Sequence, residues 1–117
     1  MEKVSVESLN EDFQDKITIG KHTFILDSAM DIGGGDLGPS PHDILTASLL
    51  SCKSMTMRMY AKRKGWDVKG LKLTGKQIKI TRDHTRLEVT IELPSHLNEE
   101  EKNRLIDISK KCPVHRT

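Results

Sequence analysis

The sequence predicts a small α+β protein in which antiparallel strands precede one long helix, followed by a hairpin and a second helix. Three short strand-like segments open the chain, and a clear helix start signal follows them. The order strands, helix, strands, helix lacks the regular alternation of a doubly wound parallel sheet. At 117 residues the chain fits one domain, predicted over residues 1–117.

The first strands are three short segments rich in β-favouring residues. They cover Val4–Leu9, Phe13–Ile19 and His22–Asp27, with turn residues at Asn10–Asp12 and at Gly20. Because such short connections join neighbouring strands, these segments predict an antiparallel meander.

The long helix is predicted from about Asp43 to Lys64. Ser40 suits the N-cap and Pro41 the first helical position, and Gly65 suits the C-cap. At about 1.5 Å per residue the helix is roughly 33 Å long, and its apolar residues occupy more than one face. We therefore expect a helix that is buried on several sides, as a homodimer would provide.

A hairpin and a second helix are predicted after the long helix. Val68–Ile80 and Arg86–Leu93 alternate apolar with polar residues, which is typical of half-exposed strands. Asn98, with Glu101 three residues later, predicts a capping box for a helix that runs to about Lys111.

Composition argues against nucleic-acid and membrane partners. The 19 Lys and Arg residues against 17 Asp and Glu give a net charge of +2, and the two signs alternate along the chain. No run approaches the roughly 20 apolar residues of a membrane span, and Met1–Asp15 has no apolar signal segment. We expect a cytoplasmic protein, where two cysteines are seldom a structural disulfide.

The two cysteines have different predicted surroundings. Cys52 lies about three turns inside the long helix, with no helix N-terminus and no Lys one turn away, so the pattern favours an inert core thiol. Pro113 can open a new turn after Cys112 and leave that sulfur at an N-cap, a position that lowers the pKa of a thiol. A thiol redox pair requires that the two residues meet in the fold.

A glycine-rich segment has the spacing of a dinucleotide-binding loop. The spacing G-x-G-x-x-G is formed by Gly33, Gly35 and Gly38. Pro39 and Pro41 delay the helix past the place where a pyrophosphate would lie, and no βαβ unit follows. We therefore predict an irregular turn and no nucleotide cofactor.

Two Cys and two His residues of this chain are the candidate ligands of a metal site. Cys112 and His115 form C-x-x-H, and Cys52 with His42 could complete a tetrahedral set. Cys52 and His42 are separated by about 15 Å along the helix axis, too far for one site. We predict no metal ion and no cofactor.

Several segments together are similar to the OsmC-like family, which includes osmotically inducible protein C and the organic hydroperoxide resistance proteins. The similarity extends over Gly33–Thr117 and combines a Pro-started helix that contains a Cys with a distant Cys-Pro-Val. The matching residues are Gly38-Pro39-Ser40-Pro41-His42-Asp43-Ile44-Leu45, Ala47 to Cys52, Met55-Thr56, Tyr60-Ala61, Lys64-Gly65-Trp66 and Lys111-Cys112-Pro113-Val114-His115.

This resemblance implies an intertwined α+β homodimer with two active sites at its interface. In the peroxidase members the first Cys attacks a hydroperoxide and becomes a sulfenic acid, which the second Cys resolves as a disulfide. Those positions match Cys52 and Cys112. Thiol reductants then regenerate the enzyme, so the implied partners are a hydroperoxide, a thiol reductant and a second copy of the chain.

The sequence departs from the peroxidase members at two places. Where they carry Glu after the helix-starting Pro, this chain has His42 followed by Asp43, which we predict to orient the hydroperoxide or accept a proton. Those enzymes also hold the reactive thiolate with an Arg from the N-terminal strands, whereas the first Arg here is Arg58. The predicted catalytic residues are therefore Cys52, Cys112, His42 and Asp43.

A second hypothesis is a non-catalytic protein that binds a small apolar ligand or a protein partner. It depends on a cleft lined by the flexible side chains of Met55, Met57 and Met59. The same three residues are also compatible with an ordinary core.

Overall fold

The order of elements confirms the predicted α+β class. A computed structural model describes residues 1–81 and 83–116, apart from the side chains of 79, 80 and 116. Residue 117, where the predicted domain and the resemblance end, lies outside the described residues. The chain divides into two compact units, Met1–Leu45 and Thr46–Thr117. A single domain over residues 1–117 stays a prediction.

The first unit contains the predicted antiparallel meander, with strands in the order β1-β2-β3. These strands are β1 (Val4–Ser8), β2 (Asp15–Ile19) and β3 (His22–Leu26). The middle strand begins later than predicted because the N–H of Leu9 donates to the carbonyl of Gln14 across the first turn.

The segment after β3 wraps around the buried carboxylate of Asp27. This carboxylate accepts hydrogen bonds from the backbone N–H groups of Ser28 at 2.7 Å, Gly35 at 3.2 Å and Leu37 at 3.2 Å. Burial alone would raise the pKa of Asp27, but these N–H groups and the Gln14 side chain together lower it.

The glycine-rich segment is the irregular turn that the sequence predicts. The N–H of Gly35, which a phosphate-binding loop would offer to its ligand, is already bonded to Asp27. A side chain at Gly34 would collide with the carbonyl oxygen of Ser28, so the close approach of the two backbones requires glycine there.

Helix α1 (Pro41–Lys64) ends at the predicted Lys64 and begins at Pro41, the residue predicted to suit its first position. The N–H of Asp43 donates to the Ser40 hydroxyl at 3.2 Å, which confirms Ser40 as the N-cap. Gly65 has a φ of 75°, the left-handed conformation expected of a C-cap glycine.

Within the single chain, helix α1 is buried along one row of side chains. Its buried residues are Lys53, Met57 and Ala61, which form one i, i+4, i+8 row. Apolar side chains elsewhere on the helix are exposed, such as Leu45 at 62% and Met59 at 64%. The homodimer that would cover them stays a prediction.

In the second unit, strands β4 (Lys72–Thr81) and β5 (His84–Glu92) form the predicted antiparallel hairpin. The first strand was predicted from Val68, but it begins at Lys72. The Asp67 carboxylate accepts a hydrogen bond from the N–H of Lys69 at 2.9 Å, and Gly70 has a φ of 95°. These contacts make residues 67–70 a turn.

Helix α2 (Glu99–Ser109) begins with the predicted capping box. The N–H of Glu101 donates to the Asn98 side chain at 2.8 Å, and the Glu101 carboxylate accepts from the N–H of Asn98 at 2.9 Å. The helix ends two residues before the predicted Lys111. A one-turn helix, α3 (Pro113–Arg116), follows.

The core of the second unit lies between α1, α2 and the segment before α2. Its fully buried members are Met57, Ala61, Leu97 and Leu105. Half-buried apolar side chains pack around this cluster, including Trp66 and Ile91. The core therefore lies one turn beyond Lys53 on α1.

Candidate active site

The structure brings Cys52 and Cys112 together within the second unit. Cys52 is half-buried on α1, whereas Cys112, between α2 and α3, is 0% exposed. Both are free thiols, and Cys52 lies close enough to Cys112 to raise its pKa. Proximity of two free thiols is the precondition for a disulfide, in which the two Cβ atoms lie about 3.5–4.5 Å apart.

Cys112 occupies the N-cap position that Pro113 predicts. Its sulfur accepts a hydrogen bond from the backbone N–H of His115 at 3.3 Å. The predicted direction of the pKa shift, however, is wrong. Burial raises the pKa of Cys112, the contact with Cys52 adds to that effect, and the His115 N–H with the charge of Lys53 opposes it without overcoming it.

Lys53, which sequence reasoning missed, lies in the wall of the same site. Its side chain is only 5% exposed. The Nζ donates to the carbonyl of Ser109 at 3.0 Å and lies 2.9 Å from Nδ1 of His115. No Lys lies one turn from Cys52 along the helix, but the adjacent Lys53 places a cation near the thiol pair.

The position of Lys53 in the sequence carried a usable signal. It precedes Met57 by four residues and Ala61 by eight, so it belongs to the row that packs against the core. Lysine is almost never fully buried without a partner, and its burial here depends on contacts with Ser109 and His115, more than 50 residues away.

The contact with Lys53 defines the hydrogen-bonding role of the His115 ring. An ammonium group has only donors, so Nδ1 must accept, and a neutral ring then carries its proton on Nε2. A nitrogen that accepts from lysine has no lone pair left for a metal ion. Within residues 1–81 and 83–116, no three His, Cys, Asp or Glu side chains form a group that could hold a metal.

An apolar cavity of about 410 Å³ has Lys53 and His115 in its wall, and neither cysteine lines it. Aliphatic side chains of α1, β5 and α2 form most of its wall, and Lys53, Ser109, Lys110 and His115 are its polar members. Met55, Met57 and Met59, which were predicted to line a cleft, do not line this cavity.

The methionines do not form a shared cleft. Met57 is fully buried in the core, whereas Met55 is 49% exposed and Met59 is 64% exposed. Met57 is therefore a packing residue, and the Met-lined cleft is a wrong prediction.

His42 and Asp43 are exposed residues in the first turn of α1. They belong to the first unit, whereas both cysteines belong to the second. A catalytic role for either residue stays a prediction.

None of the helices in the described part of the chain is long and apolar enough to cross a membrane.

The comparisons with known proteins agree with this architecture. A model of the family described as OsmC-like protein matches residues 33–117. No curated protein matches the chain.

Solved structures with the same fold are distant in sequence. A protein from Psychrobacter arcticus 273-4, named for an osmotic stress induced and detoxification response, is 21% identical with a TM-score of 0.85, over 99% of this chain and 87% of that one. An OsmC-like protein from Mycoplasma pneumoniae is 24% identical with a TM-score of 0.78, over 99% and 85%. An organic hydroperoxide resistance protein from Legionella pneumophila is 16% identical with a TM-score of 0.71, over 99% and 87%.

Proposed function

Because this chain belongs to the OsmC-like protein family, we propose that it is a redox protein that reduces organic hydroperoxides with thiols through Cys52 and Cys112. The observation that carries the proposal is the contact between a half-buried and a fully buried free thiol. The same fold in an organic hydroperoxide resistance protein supports the choice of oxidant.

The exposure of the two cysteines supports a division of roles in the proposed reaction. Cys52 is the thiol that a hydroperoxide can reach, so its sulfur attacks the peroxide oxygen, the O–O bond breaks and an alcohol leaves. Cys112 is 0% exposed, so it is protected from the oxidant and acts on the sulfenic acid of Cys52. The S–S bond forms as the S–O bond breaks, and water is released.

A thiol reductant completes the proposed cycle. Two thiol groups of the reductant exchange with the disulfide, restore Cys52 and Cys112 and leave as the oxidised reductant. We place the protein in the cytoplasm, since the thiol pools there keep cysteines reduced. His42 or Asp43 is proposed to orient the hydroperoxide or to accept a proton.

The proposal includes an intertwined homodimer of single-domain subunits. Large apolar side chains on α1 remain exposed in the single chain, namely Leu45 at 62%, Met55 at 49% and Met59 at 64%. Apolar surface of this kind typically marks an interface. Sedimentation that finds only monomers at micromolar concentration would contradict this part of the proposal.

Peroxidase turnover tests the main proposal. Stopped-flow consumption of cumene hydroperoxide with dithiothreitol or a lipoyl reductant should show turnover in the wild type and none in Cys52→Ser. With the reductant omitted, Cys112→Ser should consume about one equivalent of hydroperoxide and accumulate a sulfenic acid that dimedone traps. Ser51→Ala, an exposed neighbour of Cys52 on α1, is the control and should keep wild-type turnover.

The rate at which the wild type consumes hydroperoxide tests whether the protein is a peroxidase. Hydroperoxide consumption no faster than that of Cys52→Ser would overturn the proposal. Trapping of a sulfenic acid on Cys112 instead of Cys52 would reverse the two roles.

A second candidate function is the binding of a small apolar ligand, which the 410 Å³ cavity favours. Native mass spectrometry of the protein as purified separates the two. A bound small molecule without peroxidase turnover would support the binding function, and turnover without any bound molecule would reject it.

A further inference from the structure

Lys53 is a buried cation without an acidic partner in the part of the chain that the structure describes. The side chain is 5% exposed, and its known partners are the Ser109 carbonyl and the His115 ring, both neutral. The side-chain ion pairs among residues 1–81 and 83–116 involve other residues. A buried charge is costly unless an opposite charge accompanies it, so a counter-ion is expected nearby.

We propose that Lys53 is a positioning residue for the thiol pair, held in place to act as the counter-ion of the Cys112 thiolate when that sulfur attacks the sulfenic acid of Cys52. This inference rests on the proposed function. In the step, the electron pair of the Cys112 sulfur forms the S–S bond and the S–O bond of Cys52 breaks. The departing hydroxide takes up the proton that Cys112 has released and leaves as water.

Lys53 is fixed by both sides of the segment that carries Cys112. Ser109 and His115 lie three residues before and three residues after Cys112, and each holds Nζ within 3.0 Å. His115 also donates its backbone N–H to the Cys112 sulfur at 3.3 Å. Since Lys53 directly follows Cys52 on α1, one side chain joins the helix of the first thiol to the loop of the second.

Among the described side chains, the charged and titratable groups around Cys112 come from α1, from α3 and from the end of α2. Cys52 and Lys53 face it from α1 and His115 from α3, and Lys110 at the end of α2 lines the same cavity as Lys53. Lys110 is exposed, so water screens its charge, whereas the charge of Lys53 is buried. Burial raises the pKa of Cys112, the Cys52 contact raises it further, and Lys53 and the His115 N–H oppose this rise.

The titration of Cys112 tests the inference without any hydroperoxide. The chain has two cysteines, so in a Cys52→Ser background isotope-labelled cysteine NMR follows Cys112 alone. Lys53→Met should move the titration midpoint of Cys112 to higher pH, and Lys53→Arg should restore it because the charge returns. Lys62→Met, which removes the same charge from an exposed position of α1, should leave the midpoint unchanged.

A second variant covers the case in which Lys53→Met does not fold. His115→Ala removes an exposed ring that orients Nζ and keeps the backbone N–H that caps Cys112, so it should move the midpoint in the same direction by less. Equal midpoints in Lys53→Met and Lys62→Met would overturn the inference. If Lys53→Met is unfolded by circular dichroism, an unchanged midpoint in His115→Ala would overturn it.

The rate of disulfide closure provides the functional measurement. In otherwise wild-type protein oxidised by one equivalent of hydroperoxide, Lys53→Met should close the disulfide about tenfold more slowly at neutral pH, the typical effect of losing one nearby opposite charge. Equal closure rates would overturn the catalytic part of the inference. If Lys53→Met shifts the Cys112 titration but hydroperoxide produces no sulfenic acid on Cys52, the result would contradict the proposed function and leave the role of Lys53 intact.

Discussion

Replacing Met57 with Ala tests the core that holds α1 beside α2, one turn from Lys53. Met57 is 0% exposed and belongs to the cluster with Ala61, Leu97 and Leu105. Truncation of such a side chain costs about 2–5 kcal/mol, because transfer free energy is lost and a cavity remains. A domain of this size is typically stable by about 5–15 kcal/mol, so the variant should still fold.

Urea denaturation followed by far-ultraviolet circular dichroism measures the effect of Met57→Ala. With an m-value of about 2 kcal/mol/M, the unfolding midpoint should fall by roughly 1–2.5 M. Met30→Ala is the matched control, since Met30 is 74% exposed and its truncation should change stability by less than about 0.5 kcal/mol. A midpoint for Met57→Ala equal to that of the wild type, or an equal loss in Met30→Ala, would refute the assignment of the core.

Two further predictions concern the ends of elements. Because the pKa of Asp27 is lowered in the fold, its ionised form stabilises the protein above the unfolded pKa, and this contribution is lost as the pH falls below about 4. The melting temperature of Asp27→Asn should therefore vary less than that of the wild type over this acidic range, and parallel curves would contradict the role of Asp27. Asn98→Ala should lower the unfolding free energy by about 1 kcal/mol in urea titrations by removing the capping box. Asn103→Ala, at an exposed position inside the same helix, should raise it by a few tenths, and equal losses in both would refute the cap.

Elements whose ends depend on neighbouring residues could be predicted from the sequence. Ser40, Gly65 and Asn98 make contacts within five residues of themselves, and each lies at the predicted cap. The start of β4 at Lys72 could not be predicted from neighbouring residues. Val68 continues the alternation of the strand and packs against the core, but the Asp67 turn keeps it out of the hairpin.

The sequence identified the two cysteines of the candidate site and the N-cap position of Cys112. It did not predict the direction of the pKa shift of Cys112. Pro113 after Cys112 indicated an N-cap, and the hydrogen bond from His115 is present. The direction of the Cys112 pKa depends on burial, which results from packing between α1, α2 and α3 and has no marker near Cys112 in the sequence. Lys53 lies on the core-facing row of α1, but the partners that hold it there are 56 and 62 positions away along the chain, so the sequence did not identify them.

The position of the buried cation favours one of the two steps of the proposed reaction over the other. The resemblance implies an Arg from the N-terminal strands that holds the peroxide-attacking thiolate, whereas Arg58 is the first Arg of this chain. The buried cation identified beside the thiol pair is Lys53, and both groups that hold it flank Cys112. In the proposed cycle, a cation fixed from those two sides stabilises negative charge on the second sulfur and assists disulfide closure more than attack on the peroxide. On this reasoning, removal of Lys53 slows the second step while the first proceeds, and sulfenic acid accumulates on Cys52.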